Sequence, residues 1–445
     1  MASKLRTALV AGLLPVVLSV ASTVWIAGTA RAADVAPATK PSCTNSSAVQ
    51  PTDDETADGF GGSVAVNGQT ALVGIPFFST AFIDPPVPPP FINGRVAVFT
   101  CDASTQAWSR TGSIQLPATQ ANQSIPLGFA VALQGDLAVV GTQVEGVYVF
   151  KRQGQNWNQV ANVAPENPTS GTTTPTSYVE FGSIIAFKDD VLAVGVTDES
   201  LLGAVPNSYY VDVYQIITLG EHGAAIRIAR LKPPAGDTGA FGQSLALHGD
   251  TLVVGDSPDT TVYVYKRRGF TFALEQKITG KEATTGSEFG TAVAIADDVI
   301  LVGAPGENPI SDGNGVDSEG AVYAFRHEAG PDSRWVETQH FSPVNPPALR
   351  YAYFGGTLAV NNAGQAVIGT PRAWDFETGT EYGPSFLYTV QAGQFVLYSP
   401  QLSFGAAPAT DLGMTDEYLI GGALFYQYGF QLSGAGITNL TQLPR

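Results

Sequence analysis

Residues 288–305 read Glu-Phe-Gly-Thr-Ala-Val-Ala-Ile-Ala-Asp-Asp-Val-Ile-Leu-Val-Gly-Ala-Pro. After Phe-Gly the side chains alternate, a polar turn follows at Asp297-Asp298, and an apolar run then leads to Gly303. Alternation with a period of two is typical of a β-strand, and paired aspartates tolerate the backbone angles of a two-residue hairpin turn. The continuous apolar run predicts a second strand that is buried on both faces. These residues therefore predict a β-hairpin with a deeply buried second strand.

The same pattern returns along the chain as an internal repeat. Copies begin with Phe-Gly at residues 60, 181, 241, 289, 354 and 404, and with Leu-Gly at residue 127. A third strand such as Val262–Tyr265 follows the hairpin, and a fourth often opens with an aromatic residue such as Trp335. Four strands per repeat are typical of a propeller blade, and radially arranged blades can bury the faces that one sheet alone would expose.

The unit resembles the FG-GAP repeat, which occurs in the N-terminal propeller of integrin α-subunits and in many secreted bacterial proteins. The fifth copy keeps both signatures, Phe289-Gly290 and Gly303-Ala-Pro305, whereas other copies keep Phe-Gly better than Gly-Ala-Pro. The resemblance implies an all-β fold, a seven-bladed β-propeller of four-stranded antiparallel blades. It would occupy residues 33–445 without a second domain.

The degraded seventh copy predicts how the ring closes. Its sequence indicates an inner strand near residues 406–410, a second near 418–421 and a third near 423–426. We expect the C-terminal segment Ile437–Leu443 to complete the seventh blade as its fourth strand. A closing strand from the N-terminal segment is the alternative.

The N-terminus resembles an export signal. Lys4 and Arg6 precede an apolar run from about residue 7 to residue 30, and Ala30-Arg31-Ala32 matches the small-x-small pattern that a signal peptidase cuts. We therefore expect a signal peptide over residues 1–32 and a secreted, periplasmic or extracellular mature chain. An uncleaved membrane anchor is the alternative. No second apolar run of this length follows, so we expect no membrane span in the mature chain.

The charge and the cysteine content limit which classes of partner and which cellular compartment we expect. The 39 acidic residues outnumber the 22 Lys and Arg, which gives a net charge of −17. Nucleic acids and anionic membranes repel such a chain, so we expect no nucleic-acid partner. Cys43 and Cys101 are the only cysteines, and in an oxidising compartment this pair favours a structural disulfide over two free thiols.

The resemblance also implies a place for a cation. Integrin-type repeats often bind calcium in the loop after Gly-Ala-Pro, through oxygen ligands at alternate positions. In the fifth copy Asp312 and Asn314 have this spacing, Val316 occupies the position of the third ligand, and Asp317 or Glu319 would have to replace it. A solvated acidic turn is the alternative. We expect no required cofactor, with calcium at Asp312, Asn314 and Asp317 as the one candidate.

Two loops interrupt the repeat and carry residues suited to binding. The loop of the sixth copy places Trp374 beside Arg372, a combination able to stack on a sugar ring or hold a peptide. The loop of the first copy combines a proline-rich run with four aromatic residues: Phe77, Phe78, Phe82 and Phe91. Loops folded back over the propeller face are the alternative for both.

Catalytic motifs are missing from the sequence. It contains no nucleophile elbow, P-loop or dinucleotide fingerprint, and the four histidines have no metal-ligand spacing. We therefore predict a secreted, monomeric, non-enzymatic binding or adhesion module that recognises a protein or a glycan. A secreted lyase or hydrolase with its site at the mouth of the central channel is the alternative, because propellers host both uses.

Overall fold

The structure is a computed structural model. It describes residues 43, 59–76, 94–102, 104–117, 125–143, 145–166, 177–200, 208–237, 239–257, 260–307, 319–330, 333–343, 353–371, 374–375, 380–381, 384–402, 411–427 and 430–439. Every regular element in these ranges is a β-strand. None of them contains a helix with the length and hydropathy of a membrane span. The predicted signal peptide, residues 1–32, lies outside the described residues.

Six four-stranded antiparallel sheets form six blades, whose strands pair in chain order. Blade 1 consists of β1 (Val64–Asn67), β2 (Thr70–Ile75), β3 (Arg95–Asp102) and β4 (Ala107–Ile114). Blade 2 consists of β5 (Ala130–Gln134), β6 (Leu137–Gly141), β7 (Val147–Gln153) and β8 (Asn156–Val163). Blade 3 consists of β9 (Ser177–Lys188), β10 (Val191–Ser200), β11 (Ser208–Leu219) and β12 (His222–Leu231).

The next three blades repeat this arrangement. Blade 4 consists of β13 (Ala240–His248), β14 (Thr251–Ser257), β15 (Thr261–Arg268) and β16 (Thr271–Ile278). Blade 5 consists of β17 (Ala292–Ala296), β18 (Val299–Ala304), β19 (Ala321–Glu328) and β20 (Arg334–Phe341). Blade 6 consists of β21 (Thr357–Val360), β22 (Gln365–Gly369), β25 (Ser385–Gln391) and β26 (Gln394–Leu402), and a short hairpin of β23 (Trp374–Asp375) and β24 (Thr380–Glu381) lies between β22 and β25.

The expectation of seven four-stranded blades is wrong, because the structure has six. The seventh repeat forms a three-stranded sheet, here called the closing sheet, of β27 (Asp411–Met414), β28 (Tyr418–Gln427) and β29 (Phe430–Asn439). Residues 418–427 are one strand where the sequence predicted two. The predicted inner strand, residues 406–410, lies outside the described residues.

Gly422 lies within the continuous strand β28, at a close approach to blade 1. A Cβ atom on Gly422 would overlap the carbonyl oxygen of Gly61 in front of blade 1, so glycine is needed there for a close approach between backbones. The sequence instead predicted the end of a strand one residue earlier, at Gly421. A C-terminal strand does form, but β29 is the third strand of its sheet and begins at Phe430.

The closing sheet packs between the last and the first blade. Leu419 lies in a core cluster with Val367 and Leu387 of blade 6. On the other face, Tyr418 and Ile420 lie in the core cluster of blade 1. The ring is thus closed by β27–β29, although this sheet lacks the fourth strand of the six blades.

Contacts between glycines join successive blades. A glycine in a second strand packs against the carbonyl oxygen of the glycine that opens the next repeat, so that a Cβ atom on Gly74 would overlap the oxygen of Gly128. Five further pairs share this arrangement: Gly141 with Gly182, Gly195 with Gly242, Gly255 with Gly290, Gly303 with Gly355, and Gly422 with Gly61. The glycines that open the repeats in these six pairs have φ angles between 89° and 102°, a region that other residues rarely adopt.

We expect Gly141→Ala to destabilise the propeller by about 3 kcal/mol, because its methyl group would displace the backbone of blade 3. Urea denaturation measures this loss. Gly112→Ala is the matched control: nothing lies within 4 Å of its added Cβ atom, so its effect should stay within about 0.5 kcal/mol. Equal midpoints for the two variants would contradict the proposed role of the glycine contact.

The predicted disulfide is present. Cys43 and Cys101 are bonded, with Cα atoms 5.8 Å apart. The Cys43 N–H donates a hydrogen bond of 2.8 Å to the hydroxyl of Tyr418 in the closing sheet. The Tyr418 ring in turn meets Trp108 of blade 1 edge-on, with ring centroids 5.2 Å apart. This buried cluster connects Cys43, the first blade and the closing sheet.

Deletion of residues 436–445 should lower the melting temperature by several degrees or cause aggregation. The deletion removes the β29 residues that pair with Tyr418–Gly421, the part of β28 that packs against blades 1 and 6. Calorimetry of the two chains measures the change. Deletion of residues 440–445 alone leaves β29 intact and serves as the control. If the longer deletion melts like the control, β29 does not hold the ring closed.

Candidate functional site

Two cavities lie where the six blades and the closing sheet converge, and every one of these sheets contributes residues to both. The larger cavity, of about 500 Å³, is lined by residues at the start of innermost strands, such as Thr291–Val293, and by Ser183–Ile185 in the middle of β9. The smaller, of about 340 Å³, is lined by the last residues of these strands and by the turns after β21 and β27. Together they mark the central channel. We call the end near the strand starts the loop face and the other end the hairpin face.

Polar groups of the larger cavity are mostly committed to the scaffold. The hydroxyls of Ser63 and Ser244 donate to the carbonyl oxygens of Gly128 and Gly290 in the next blade, at 2.8 and 2.7 Å. The ionisable side chain in its lining is Asp411 of the closing sheet. The remaining lining is aliphatic, glycine, serine, threonine or glutamine, with one phenylalanine. Among the described lining residues, Asp411 is thus the ionisable side chain that faces this cavity.

Ionisable groups at the hairpin face bind neighbouring turns instead of converging. His248 Nε2 lies 3.2 Å from an Asp297 carboxylate oxygen in the next blade. Asp416 accepts the N–H of Ala363 from blade 6 at 3.2 Å. Across the described ranges, no three His, Cys, Asp or Glu residues are arranged to hold a metal ion. His248 and Asp416 at the mouth of the channel, where the alternative enzyme would have its site, thus each bind a residue of a neighbouring turn.

Asp411 connects the closing sheet to blade 1. Its carboxylate accepts the N–H of Val64 at 2.8 Å and the N–H of Leu412 at 2.9 Å. Burial raises the pKa of this carboxyl to about 6, although the two N–H donors favour the charged form and oppose the shift. The folded pKa is thus above the usual 3.8. Protonation therefore stabilises the fold below that value, and this contribution is lost as the pH rises through about 6.

Asp411→Asn should therefore gain stability relative to the natural chain as the pH rises from 4 to 7. The amide also loses one acceptor oxygen, but this cost does not change with pH, so the slope of the difference is the informative quantity. Urea denaturation at several pH values measures it. Asp416→Asn, at the other end of the channel, is the control. A difference that stays constant over this range would contradict the assignment.

A contact between a basic and an acidic side chain recurs in blades 3, 4 and 5, between the fourth strand and the loop that enters the blade. Arg230 Nη1 lies 2.9 Å from Glu166, and Lys277 Nζ lies 3.7 Å from Asp237. In blade 5 His340 Nδ1 lies 3.2 Å from Glu282. Each basic residue pairs in register with a third-strand residue: Arg230 with Asp212, Lys277 with Tyr263, and His340 with Tyr323. These contacts fasten the incoming loops to the outer strands.

In blade 3 the contact extends into a buried ion pair. Arg230 donates two bonds of 2.7 Å to the buried carboxylate of Asp212, and its guanidinium lies 4.3 Å from the ring centroid of Tyr210. Hydrogen bonding to Asp212 raises the pKa of Arg230. Because the guanidinium also binds Glu166, the cluster is already satisfied within the chain.

In blade 5 the contact includes a tyrosine and a second glutamate. His340 Nε2 lies 2.8 Å from Glu307, and its ring stacks on Tyr323 with centroids 4.3 Å apart. The Tyr323 hydroxyl donates to Glu307 at 2.7 Å, and burial raises the pKa of this tyrosine. Glu307 directly follows Gly303-Ala-Pro305-Gly306. Its carboxylate therefore fixes the start of the long fifth-repeat loop to the outer strand of the blade.

Sequence reasoning missed these contacts for a definite reason. An alignment of the repeats shows that Asp212, Tyr263 and Tyr323 occupy equivalent positions of the third strand. It does not show which fourth-strand residues pair with them. A β-bulge interrupts the pairing of third and fourth strands just beyond each of these pairs. The bulge shifts the register and thereby changes which residues share a face.

The predicted site residues fall mostly outside the described ranges. This applies to Asp312, Asn314 and Asp317 of the candidate calcium loop, to Arg372, and to Phe77, Phe78, Phe82 and Phe91. The backbone of Trp374 lies in β23 and pairs with Glu381.

The loops that carry these residues in the first, fifth and sixth repeats nevertheless connect equivalent strands of their blades. Each of the three follows the second strand of a blade and precedes its third: residues 77–93 after β2, 308–318 after β18, and 372–383 after β22. Second strands end at the loop face in every blade. In blade 5 the Gly320 N–H donates to the Glu307 carbonyl at 2.9 Å, so that loop leaves and returns at one point. All three predicted binding segments therefore start and end at the loop face.

Comparison with protein families identifies the repeat. The family model described as the FG-GAP repeat matches residues 272–325. The chain is an FG-GAP repeat protein. The matched range runs from the outermost strand of blade 4 through the three inner strands of blade 5, so the family unit is offset by one strand from the structural blade. A comparison with curated protein sequences found no match.

Solved structures with similar chains differ widely in sequence from this FG-GAP protein. A chain of the mitotic checkpoint complex is 11% identical, with 94% of this chain and 98% of that chain covered and a TM-score of 0.46. The designed protein Ika8 is 13% identical, with 86% and 96% covered and a TM-score of 0.43. Saccharomyces cerevisiae Sqt1 is 12% identical, with 85% and 83% covered and a TM-score of 0.43. Because these TM-scores lie below 0.5, the similarities to these structures do not indicate a function.

Proposed function

We propose that this FG-GAP propeller is a secreted, non-enzymatic binding module that recognises a protein or a glycan through loops of one face. The observation that carries the proposal is the common origin of three candidate segments at the loop face. Loops on a rigid scaffold are the usual place for binding residues. The loop-to-strand contacts of blades 3, 4 and 5 supply rigidity beneath this face.

The channel favours binding over the alternative lyase or hydrolase. A hydrolytic site needs an acid, a base or a nucleophile within hydrogen-bond reach of one reacting atom. In the described lining, the ionisable side chains at the hairpin face are Lys188, His248 and Asp416, and the one at the loop face is Asp411. His248, Asp416 and Asp411 bind neighbouring strands or turns.

Export, monomeric state and calcium binding belong to the same proposal. A disulfide persists in an oxidising compartment, so Cys43–Cys101 is compatible with a secreted chain. Calcium at Asp312, Asn314 and Asp317 would stiffen the fifth-repeat loop at the face where a partner is bound.

A glycan array and a pull-down with the full chain test the proposal. We expect retention of a glycan or protein, and a loss of at least tenfold in affinity when Phe77, Phe78 and Trp374 are replaced by serine together. Tyr398→Ser is the matched control, because this exposed aromatic lies on the outer strand of blade 6. Equal affinity of the loop variant and the control would exclude these loops. Turnover of a glycan in place of retention would support the enzyme.

A further inference from the structure

The cavity at the hairpin face has the size and the composition of a small-ligand site. Its volume is about 340 Å³, and all seven sheets contribute to its lining. Small-molecule sites in proteins typically measure about 300–1,000 Å³. Each sheet supplies an apolar side chain near the end of its innermost strand, such as Val66 or Phe187, and most supply a polar residue directly after it, such as Asn67 or Lys188. The cavity thus combines an apolar wall with polar side chains nearer the turns.

Hydrogen bonds between neighbouring turns fix two of these polar side chains. Oδ1 of Asn67 accepts the N–H of Gly135 in blade 2 at 3.0 Å. Oδ1 of Asp416 in the closing sheet accepts the N–H of Ala363 in blade 6 at 3.2 Å. Because both side chains are held in place without a ligand, binding spends little free energy on ordering them.

Several hydrogen-bonding groups around the cavity are not used by the protein itself. Within the described ranges, nothing binds the Nδ2 donors of Asn67 or Oδ2 of Asp416. Lys188 Nζ and the Asn362 side chain likewise have no hydrogen-bond or ion-pair partner among the described residues. These four side chains, here called the polar rim, therefore present both donors and acceptors to a ligand in the cavity.

The charges at this end of the channel have both signs. Among the described lining residues, the ionisable groups are Lys188, His248 and Asp416. His248 lies beside Asp297, which leaves the ammonium of Lys188 as the unpaired cation of this lining. Further acidic side chains lie on the surrounding turns: Asp136, Asp189, Asp190, Asp250, Asp298, which is paired with Arg326, and Glu417.

This distribution favours an uncharged ligand. An anion would be repelled by Asp416 and by the acidic turns, and a cation would meet the ammonium of Lys188 inside the cavity. A hydroxyl group can accept a hydrogen bond from Lys188 and donate one to Asp416, so it meets neither repulsion. A sugar ring carries several hydroxyl groups around its edge and C–H groups on its faces. It therefore matches both the polar rim and the apolar wall.

We propose that the hairpin-face cavity binds one neutral sugar ring. Lys188 and Asn67 donate to its hydroxyl groups, Asp416 accepts from one of them, and half-buried Phe187 contacts its C–H face. Binding of this kind needs no convergent acid and base. The cavity is at the opposite end of the channel from the loop face, so the inference does not depend on the function proposed above.

Isothermal titration calorimetry with the full chain tests this. The probes are glucose, galactose, mannose and N-acetylglucosamine, each titrated at millimolar concentration. We expect at least one of them to bind with a Kd of about 1 mM or below. The uronate and the amino sugar of the same stereochemistry should each bind at least tenfold more weakly, because each carries a charge into the cavity.

Two variants test the polar rim with little change of shape. Lys188→Met keeps the apolar stem and removes the ammonium donors, and Asp416→Asn keeps an acceptor for the Ala363 N–H but replaces the other oxygen with a donor. Each should weaken binding of the sugar at least tenfold. Melting curves of both variants show whether they remain folded.

Matched controls separate the cavity from the rest of the surface. Lys232→Met makes the same change at an exposed lysine after β12, and Asp136→Asn makes it at an exposed turn residue outside the lining. Both should bind the sugar within twofold of the natural chain, as should the loop variant with Phe77, Phe78 and Trp374 replaced by serine.

Four outcomes would overturn the proposal. Absence of binding by all four sugars would exclude a neutral sugar, and tighter binding of the uronate or the amino sugar would assign the cavity to a charged ligand. Equal losses in the test variants and in their controls would show that the polar rim does not contact the sugar. Loss of binding in the loop variant alone would place the sugar at the loop face.

Discussion

The close approach of glycine backbones between neighbouring blades is the contact on which the rest of this propeller depends. Gly74 in the second strand of blade 1 touches the carbonyl oxygen of Gly128 in blade 2. The Gly128 N–H donates a hydrogen bond to the carbonyl of Gly141 in the same blade, and Gly141 touches Gly182 in blade 3. Glycine contacts between blades thus alternate with glycine hydrogen bonds within blades. A side chain at any of these positions would push two sheets apart.

This spacing decides what the inner part of the molecule can contain. Second strands such as β14 and β18 are buried at every residue because the next blade lies so near. Buried Phe60, Phe241 and Phe289 fill the space beside the glycines and meet third-strand aromatics edge-on. Variation is left to the outer strands and to the connections between second and third strands. Candidate binding segments occur in those connections for the same reason.

The repeat pattern was sufficient to predict the class of fold, the strand order within a blade and the hairpin turns. Asp189, Asp190 and Asp297 adopt the positive φ angles that the polar turns required. The disulfide also followed from the cysteine count. These features depend on local sequence or on a single pair, which a reader of the sequence can recognise.

Contacts between residues that are far apart in the sequence could not be predicted from it. Gly422 allows a close approach of Gly61 from another repeat, which its neighbours in the sequence do not indicate, so the single strand β28 was predicted as two strands. The link between Arg230 and Glu166 depends on a β-bulge with no distinctive residue. Asp411 looked like part of a degraded copy, and only its bond to Val64 gives it a role. In each case the partner lies in another repeat.

The hydrogen bond from Cys43 to Tyr418 spans 375 positions of the chain. The two residues are synthesised many seconds apart. The first blade therefore lacks its neighbour in the closing sheet, and its inner strand stays uncovered, while the other five blades form. Contacts of such high sequence separation are formed late and slow the final folding step. The ring is therefore most exposed to misassembly before the closing sheet, residues 411–439, has formed. Mutations in the closing sheet should for this reason act on yield during synthesis more strongly than on the mature ring.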